Sequence, residues 1–201
     1  MNTIPNTQAI TTAKNIFQSG LNRASEALVV ITGQSVQLQA IKLQATQGAN
    51  AQAVLPQFTE QVQVLSTQLK GQLQGNSYMF ITQQQSVKLK QMLAHINGFE
   101  QQGFEFLKEI DNMLAAAIIS VIANKLSVAI YGDVPHHHCL QGNELHHWWA
   151  NKQTIENCPP SQEVLLVVTS SLQVGQNETI DFFFVWCLQQ QALQYFERIT
   201  T

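Results

Sequence analysis

Apolar residues recur at helical spacing from about Thr12 to Ile31, where Ile16, Phe17, Leu21, Ala24, Leu28 and Ile31 share one side. Gly33 follows as the expected stop, because glycine takes the left-handed backbone that ends many helices. The period then changes to two. Val36, Leu38 and Ala40 alternate with polar residues, which predicts a strand with one buried face. A second strand is predicted over Val62 to Leu69, turn residues over Gly71 to Asn76, a returning strand over Tyr78 to Ile81 and a helix over Ser86 to Ile96.

The pattern then repeats. A long helix is predicted from about Phe104 to Asn124, a strand from Leu126 to Tyr131, and another strand from Val164 to Leu172. Gly175 to Glu178 supply a turn, Thr179 to Trp186 the returning strand, and Gln190 to Arg198 a last helix. Setting Asn15 against Glu109 also sets Val36 against Ile130, with both pairs 94 residues apart, and Val87 to Leu89 echo Leu193 to Tyr195. The expectation is one domain over residues 1–201, with pseudo-repeats at about 10–97 and 98–201. Its class is α+β: a duplicated helix–strand–hairpin–helix unit forming one mixed or antiparallel sheet, with two long helices packed on a face.

Composition narrows the functional classes. Only 11% of the 201 residues are charged, and the net charge of −3 comes without a basic stripe, so nothing favours nucleic acid. Glutamine supplies much of the polar surface, in runs such as Gln83 to Gln85 and Gln189 to Gln191. Met1 to Gln8 carry no signal-peptide pattern, and the apolar run Met113 to Ala123 is far short of the ~20 residues a spanning helix needs. That run is expected to be a buried helix. Cys139, Cys158 and Cys187 are odd in number and irregular in spacing, which favours reduced thiols and a cytoplasmic location.

The chemistry worth pursuing lies on the second long helix. Glu105, Glu109 and Asn112 stand at i, i+4 and i+7, one polar stripe on a helix, and the next position, Ala116, is small enough to admit a partner. A carboxylate and a carboxamide one turn apart on a rigid helix can grip a cation and place a water. A plainer alternative gives the same pattern: early carboxylates complement the helix dipole, and Asn112 is simply solvated.

The spacing Glu105-x3-Glu109-x2-Asn112 resembles the signature helix of the CheC, CheX and FliY family of chemotaxis phosphatases. Tyr131-Gly-Asp-Val-Pro135-His136 is similar to that family's Val-Pro segment, and Thr32-Gly33-Gln-Ser-Val36 to the end of its first motif helix. The likeness spans roughly residues 10 to 200. In the first half, Thr11, Asn15 and Gln18 stand where the motif would sit, so the key carboxylate is missing there and one site is expected, as in CheX.

The resemblance implies hydrolysis of the phosphoaspartate of a CheY-like response regulator. Asn112 would orient the water, and Glu109 would meet the regulator's lysine. Glu105 and Ala116 would support docking. No metal ligand is expected in this chain, and Mg²⁺ is expected on the regulator. A CheD-like deamidase, a flagellar switch component and a second copy are further partners that the resemblance admits. The competing reading is a family member without activity that only docks.

Five of the six histidines fall in His136-His137-His138 and His146-His147, beside Cys139. Clustering invites zinc, but neighbours on a strand point to opposite sides, and neither an i,i+4 His pair nor Cys-x2-Cys is present. A metal-binding sensor built on His136 to His147 therefore ranks third. Trp148 and Trp149 are expected to pack against the sheet or a partner.

Overall fold

The computed structural model describes residues 7–94, 104–151, 162–175 and 178–198. Helix α1 (Thr7–Thr32) buries Ala9, Ala13, Ile16, Phe17, Leu21, Ala24 and Leu28 along one side. Ile31, expected on that side, is 42% exposed, and Thr32 turns inward in its place, one turn beyond Leu28. Gly33 ends the helix at φ 63°, its N–H returning to the Val29 carbonyl at 2.9 Å.

Strand β1 (Val36–Gln47) is longer than its alternation suggested. Its pairing shifts register between Ala40 and Lys42, so a β-bulge turns Ile41 outward to 58% exposure and restarts the alternation at Leu43. Strands β2 (Val62–Gly71) and β3 (Gly75–Thr82) form the first hairpin. Helix α2 (Gln83–Leu93) starts three residues before the expected Ser86, because the Thr82 hydroxyl accepts the Gln85 N–H as its N-cap.

In the second half, α3 (Glu105–Leu126) runs through Leu126, where a strand was expected. Its stop is Ser127, in the left-handed region at φ 52°. Ser127 occupies the position equivalent to Gly33 under the 94-residue offset, so the same cap is made without the glycine that marks it in the sequence. The following strand β4 is correspondingly short, Ile130–Gly132, and a further strand, β5 (His136–Leu140), occupies the histidine run. A 3-10 turn over Gly142–Glu144 leads into the short helix α4 (Leu145–Ala150). Strands β6 (Glu163–Val174) and β7 (Glu178–Gln189) make the second hairpin, and α5 (Ala192–Arg198) follows.

All the paired strands are antiparallel, in the order β1-β6-β7-β3-β2-β4, with β5 also on β2. The two halves therefore exchange strands. β1 of the first half lies against the second hairpin, β4 and β5 of the second half lie against the first, and β3 meets β7 in the centre.

The long helices α1 and α3 cover one face of this sheet over the main core, where Phe17 stands edge-on to Trp186 at 5.2 Å. They touch most closely at Gly20. A Cβ there would lie 2.7 Å from the Ile118 Cα, a backbone atom that cannot swing away. Gly20→Ala gains about 1 kcal/mol of helix propensity but forces overpacking of about 1–3 kcal/mol. Its net outcome is a lowered urea midpoint with an unchanged m-value.

The opposite face carries a second core of Val62, Val64, Tyr78, Phe80 and Val185, closed by Leu145 and Trp149. Trp149 and Trp148 both stand edge-on to Tyr78, at 4.9 and 6.2 Å, the packing role expected of them. No helix among the described residues is long and apolar enough to cross a membrane. Cys139 and Cys187 are free thiols, and Cys158 lies outside the described residues.

Candidate functional site

Helix α3 has two chemically different sides. Phe106, Leu107, Ile110, Leu114, Ala115, Ile118 and Ile119 face the core. Glu105, Glu109, Asn112 and Ala116 are all exposed, so the four candidate residues share one solvent face, as their spacing requires. Glu105 is engaged: the Lys108 ammonium lies 2.9 Å from its carboxylate, one turn along the helix. Among the described residues no hydrogen bond or ion pair engages the side chains of Glu109 or Asn112. Exposure and the lack of a partner leave the carboxylate and the carboxamide available to an incoming molecule.

The equivalent face of α1 is used differently. Under the 94-residue offset Gln18 corresponds to Asn112. The Gln18 amide accepts the Ala40 N–H at 2.9 Å and donates to the Leu38 carbonyl at 3.2 Å and to the Asn22 side chain at 2.8 Å. Ser25 accepts the Leu38 N–H at 2.9 Å. Side chains of α1 thus satisfy backbone groups of β1, an edge strand, next to its bulge. Thr11 and Asn15 are exposed beside them, and neither can supply a negative charge. The first copy of the motif position ties down an edge, while in the second copy the amide is free.

One residue of the site helix was not singled out by its sequence. Asp111, next to Asn112, points inward and is 2% exposed. The Thr67 hydroxyl on β2 donates to its Oδ2 at 2.9 Å. Burial pushes the Asp111 carboxyl up to about 7, with the Thr67 hydrogen bond opposing the shift. The signal was legible: Asp111 lies four residues after Leu107 and three before Leu114, on the apolar row.

The sign of its contribution to stability follows directly. The folded state holds the Asp111 proton more tightly than the unfolded chain does. Stability from this group is full below about pH 4, falls as pH rises, and is lost above about 7. Asp111→Asn is expected to flatten that slope, measured by chemical denaturation at pH 5 and pH 8.

Beside the N-terminal end of α3 lies the histidine strand. The His137 ring sits 5.3 Å from that of Phe104, and its Nε2 pairs with the Gln63 side chain at 2.7 Å. Burial, then the Lys108 charge, lowers the His137 value, with Glu105 partly opposing. Gln63 also donates to Cys139 Sγ at 3.4 Å. His138 instead meets Trp148 on the other face of the sheet, at 5.4 Å. The run therefore alternates across the sheet, and no group of three metal-ligating side chains gathers among the described residues. An open recess of about 670 Å³, lined by His138, Asn143, Glu144, His147, Trp148 and Asn151, lies on this second face, away from the α3 stripe.

No family model matches the sequence, and comparison with curated proteins found no relative. The fold, by contrast, has clear counterparts among solved structures. Thermotoga maritima FliY matches with a TM-score of 0.73 at 12% identity, covering 98% of each chain. The FliM–SpeE complex from H. pylori matches at 0.65 and 11% identity, covering 97% of each chain. The FliM middle domain from H. pylori matches at 0.62 and 10%, covering 96% of this chain and 99% of that one. The chain therefore has the FliY and FliM fold, the α+β architecture that the pattern of elements predicted.

Proposed function

We propose that this chain is a single-site phosphatase for the phosphoaspartate of a CheY-like response regulator, working in the cytoplasm from the exposed face of α3. The observation that carries the reading is the side-by-side exposure of Glu109 and Asn112, unengaged among the described residues, on a helix of the FliY fold. An acyl phosphate is intrinsically labile, so an auxiliary protein contributes mainly by holding water in line with phosphorus. The Asn112 carboxamide suits that task, since its oxygen accepts from the water while its NH₂ donates elsewhere. In this reading Glu109 pairs with the regulator's lysine and sets the docking register. Ala116 leaves room for the regulator's approach, and Glu105, paired with Lys108, borders the contact. Mg²⁺ belongs to the regulator.

A second reading has its own support. FliM, which shares this fold, is seen in complexes with SpeE and with FliG. The same α3 face would then dock a regulator, a CheD-like deamidase, a switch component or a second copy without hydrolysis. One experiment separates the two. Phosphorylated CheY-like regulators are incubated with the wild-type chain, Glu109→Ala and Asn112→Ala, and both binding and phosphate loss are followed. Faster loss with the wild type alone supports the phosphatase. Binding without faster loss ends the enzyme reading in favour of the adaptor.

A further inference from the structure

The two halves of the fold solve the same packing problem with different residues. Under the 94-residue offset Asp111 corresponds to Phe17. Phe17 is 1% exposed and edge-on to Trp186, an ordinary apolar solution. Asp111 occupies the matching inward position on α3, among Leu107, Ile110, Leu114 and Ala115, with one hydroxyl, Thr67, bonded to it. A carboxyl in an apolar layer costs stability that an aromatic or aliphatic side chain would not. The fold accepts Phe at this place, so packing alone does not demand the acid. It appears in the half that also presents Glu109 and Asn112, and is missing from the half whose amide is tied to β1.

We propose that Asp111 is a positioning residue for the α3 face: through Thr67 it fixes the rotation of the helix on the sheet, and loss of its proton alters the presentation of Asn112. This rests on the phosphatase reading for its functional consequence, but not for the coupling itself. The charged groups of the surrounding elements are either exposed, as Lys14 and Glu26 on α1 are, or engaged away from Asp111. Arg23 on α1 donates to Ser120, Lys70 on β2 pairs with Asp133 after β4, and His137 on β5 is held by Gln63 near Lys108 and Glu105. Burial and the Thr67 hydroxyl are what act on the Asp111 carboxyl, with its folded value about 7.

The test reads Asn112 directly. The side-chain amide resonance of Asn112, assigned by its absence in Asn112→Ala, is followed from pH 5.5 to 8.5 in the wild type, Asp111→Asn and Thr67→Val. Wild type is expected to titrate with a midpoint near 7, Asp111→Asn to lose that step, and Thr67→Val to move it upward. In parallel, Asp111→Phe, which copies the first half, is expected to lower the maximal rate of phosphate loss about tenfold with little change in half-saturation. An Asn112 resonance that does not titrate, or that titrates equally in Asp111→Asn, overturns the proposal. So does a folded Asp111→Phe chain with wild-type rate. If no regulator responds to the wild type, the phosphatase reading fails by itself, and the resonance still decides the coupling.

Discussion

Asn112→Ala is expected to slow phosphate loss from a bound, phosphorylated regulator about 100-fold while leaving regulator binding nearly unchanged. Misplacing a reacting group by roughly 1 Å is enough for a loss of that size. Removing the carboxamide frees the water altogether. Asn112 is exposed, and among the described residues its side chain has no hydrogen-bond partner, so the substitution opens no cavity and breaks no side-chain hydrogen bond. Unfolding midpoints should therefore coincide with those of the wild type. The effect should sit in the maximal rate, because a group that only orients water contributes little to ground-state docking. Glu109→Ala should differ in kind, raising the regulator concentration needed for half-saturation as well as lowering the rate.

The largest effect on stability is expected at Phe17. It is buried between α1 and the sheet and meets the Trp186 ring edge-on at 5.2 Å, and Trp186 is itself 1% exposed. Phe17→Ala removes the ring and leaves a void in the main core, which costs about 3–5 kcal/mol. For a chain of this length each kcal/mol lowers the thermal midpoint by about 2–4 °C, so a drop of roughly 6–20 °C is expected by calorimetry. The equivalent change in the other half, Asp111→Ala, should cost much less above pH 7, because it also removes a buried charge. Equal losses at the two positions would contradict the contrast drawn between the halves.

The repeat and the α3 stripe were legible because both depend on spacing that the backbone enforces. Glu105, Glu109, Asn112 and Ala116 fall on one exposed face for the same reason that Leu107, Ile110 and Leu114 fall on the other. Elements that break a period were not legible. The bulge at Ile41 ended the visible alternation of β1 early, and Ser127 made a glycine-type stop without glycine. β5 was hidden because an edge strand of His136 to Cys139 carries no apolar alternation. Among the described residues, the exchange of strands between halves joins positions far apart in the chain, such as Val36 with Val174. No local pattern encodes such a pairing.

Asp111 was masked by its neighbour. It lies one residue before the stripe position Asn112, but on the apolar row, four residues after Leu107 and three before Leu114, where its side chain is buried. Gln18 was the converse case. It was recognised as a degenerate copy of the motif position, but its hold on the Ala40 N–H and Leu38 carbonyl depends on where β1 passes α1, which only the fold supplies.

That the protein has one working face, on α3 and not on α1, is tested most directly by timing phosphate loss from a phosphorylated CheY-like regulator with Gln18→Ala and Asn112→Ala side by side. The measurement belongs at a temperature where both chains are folded. Wild-type acceleration with Gln18→Ala and near-spontaneous decay with Asn112→Ala is the expected result. Acceleration that survives Asn112→Ala, or that is lost in folded Gln18→Ala, would contradict it.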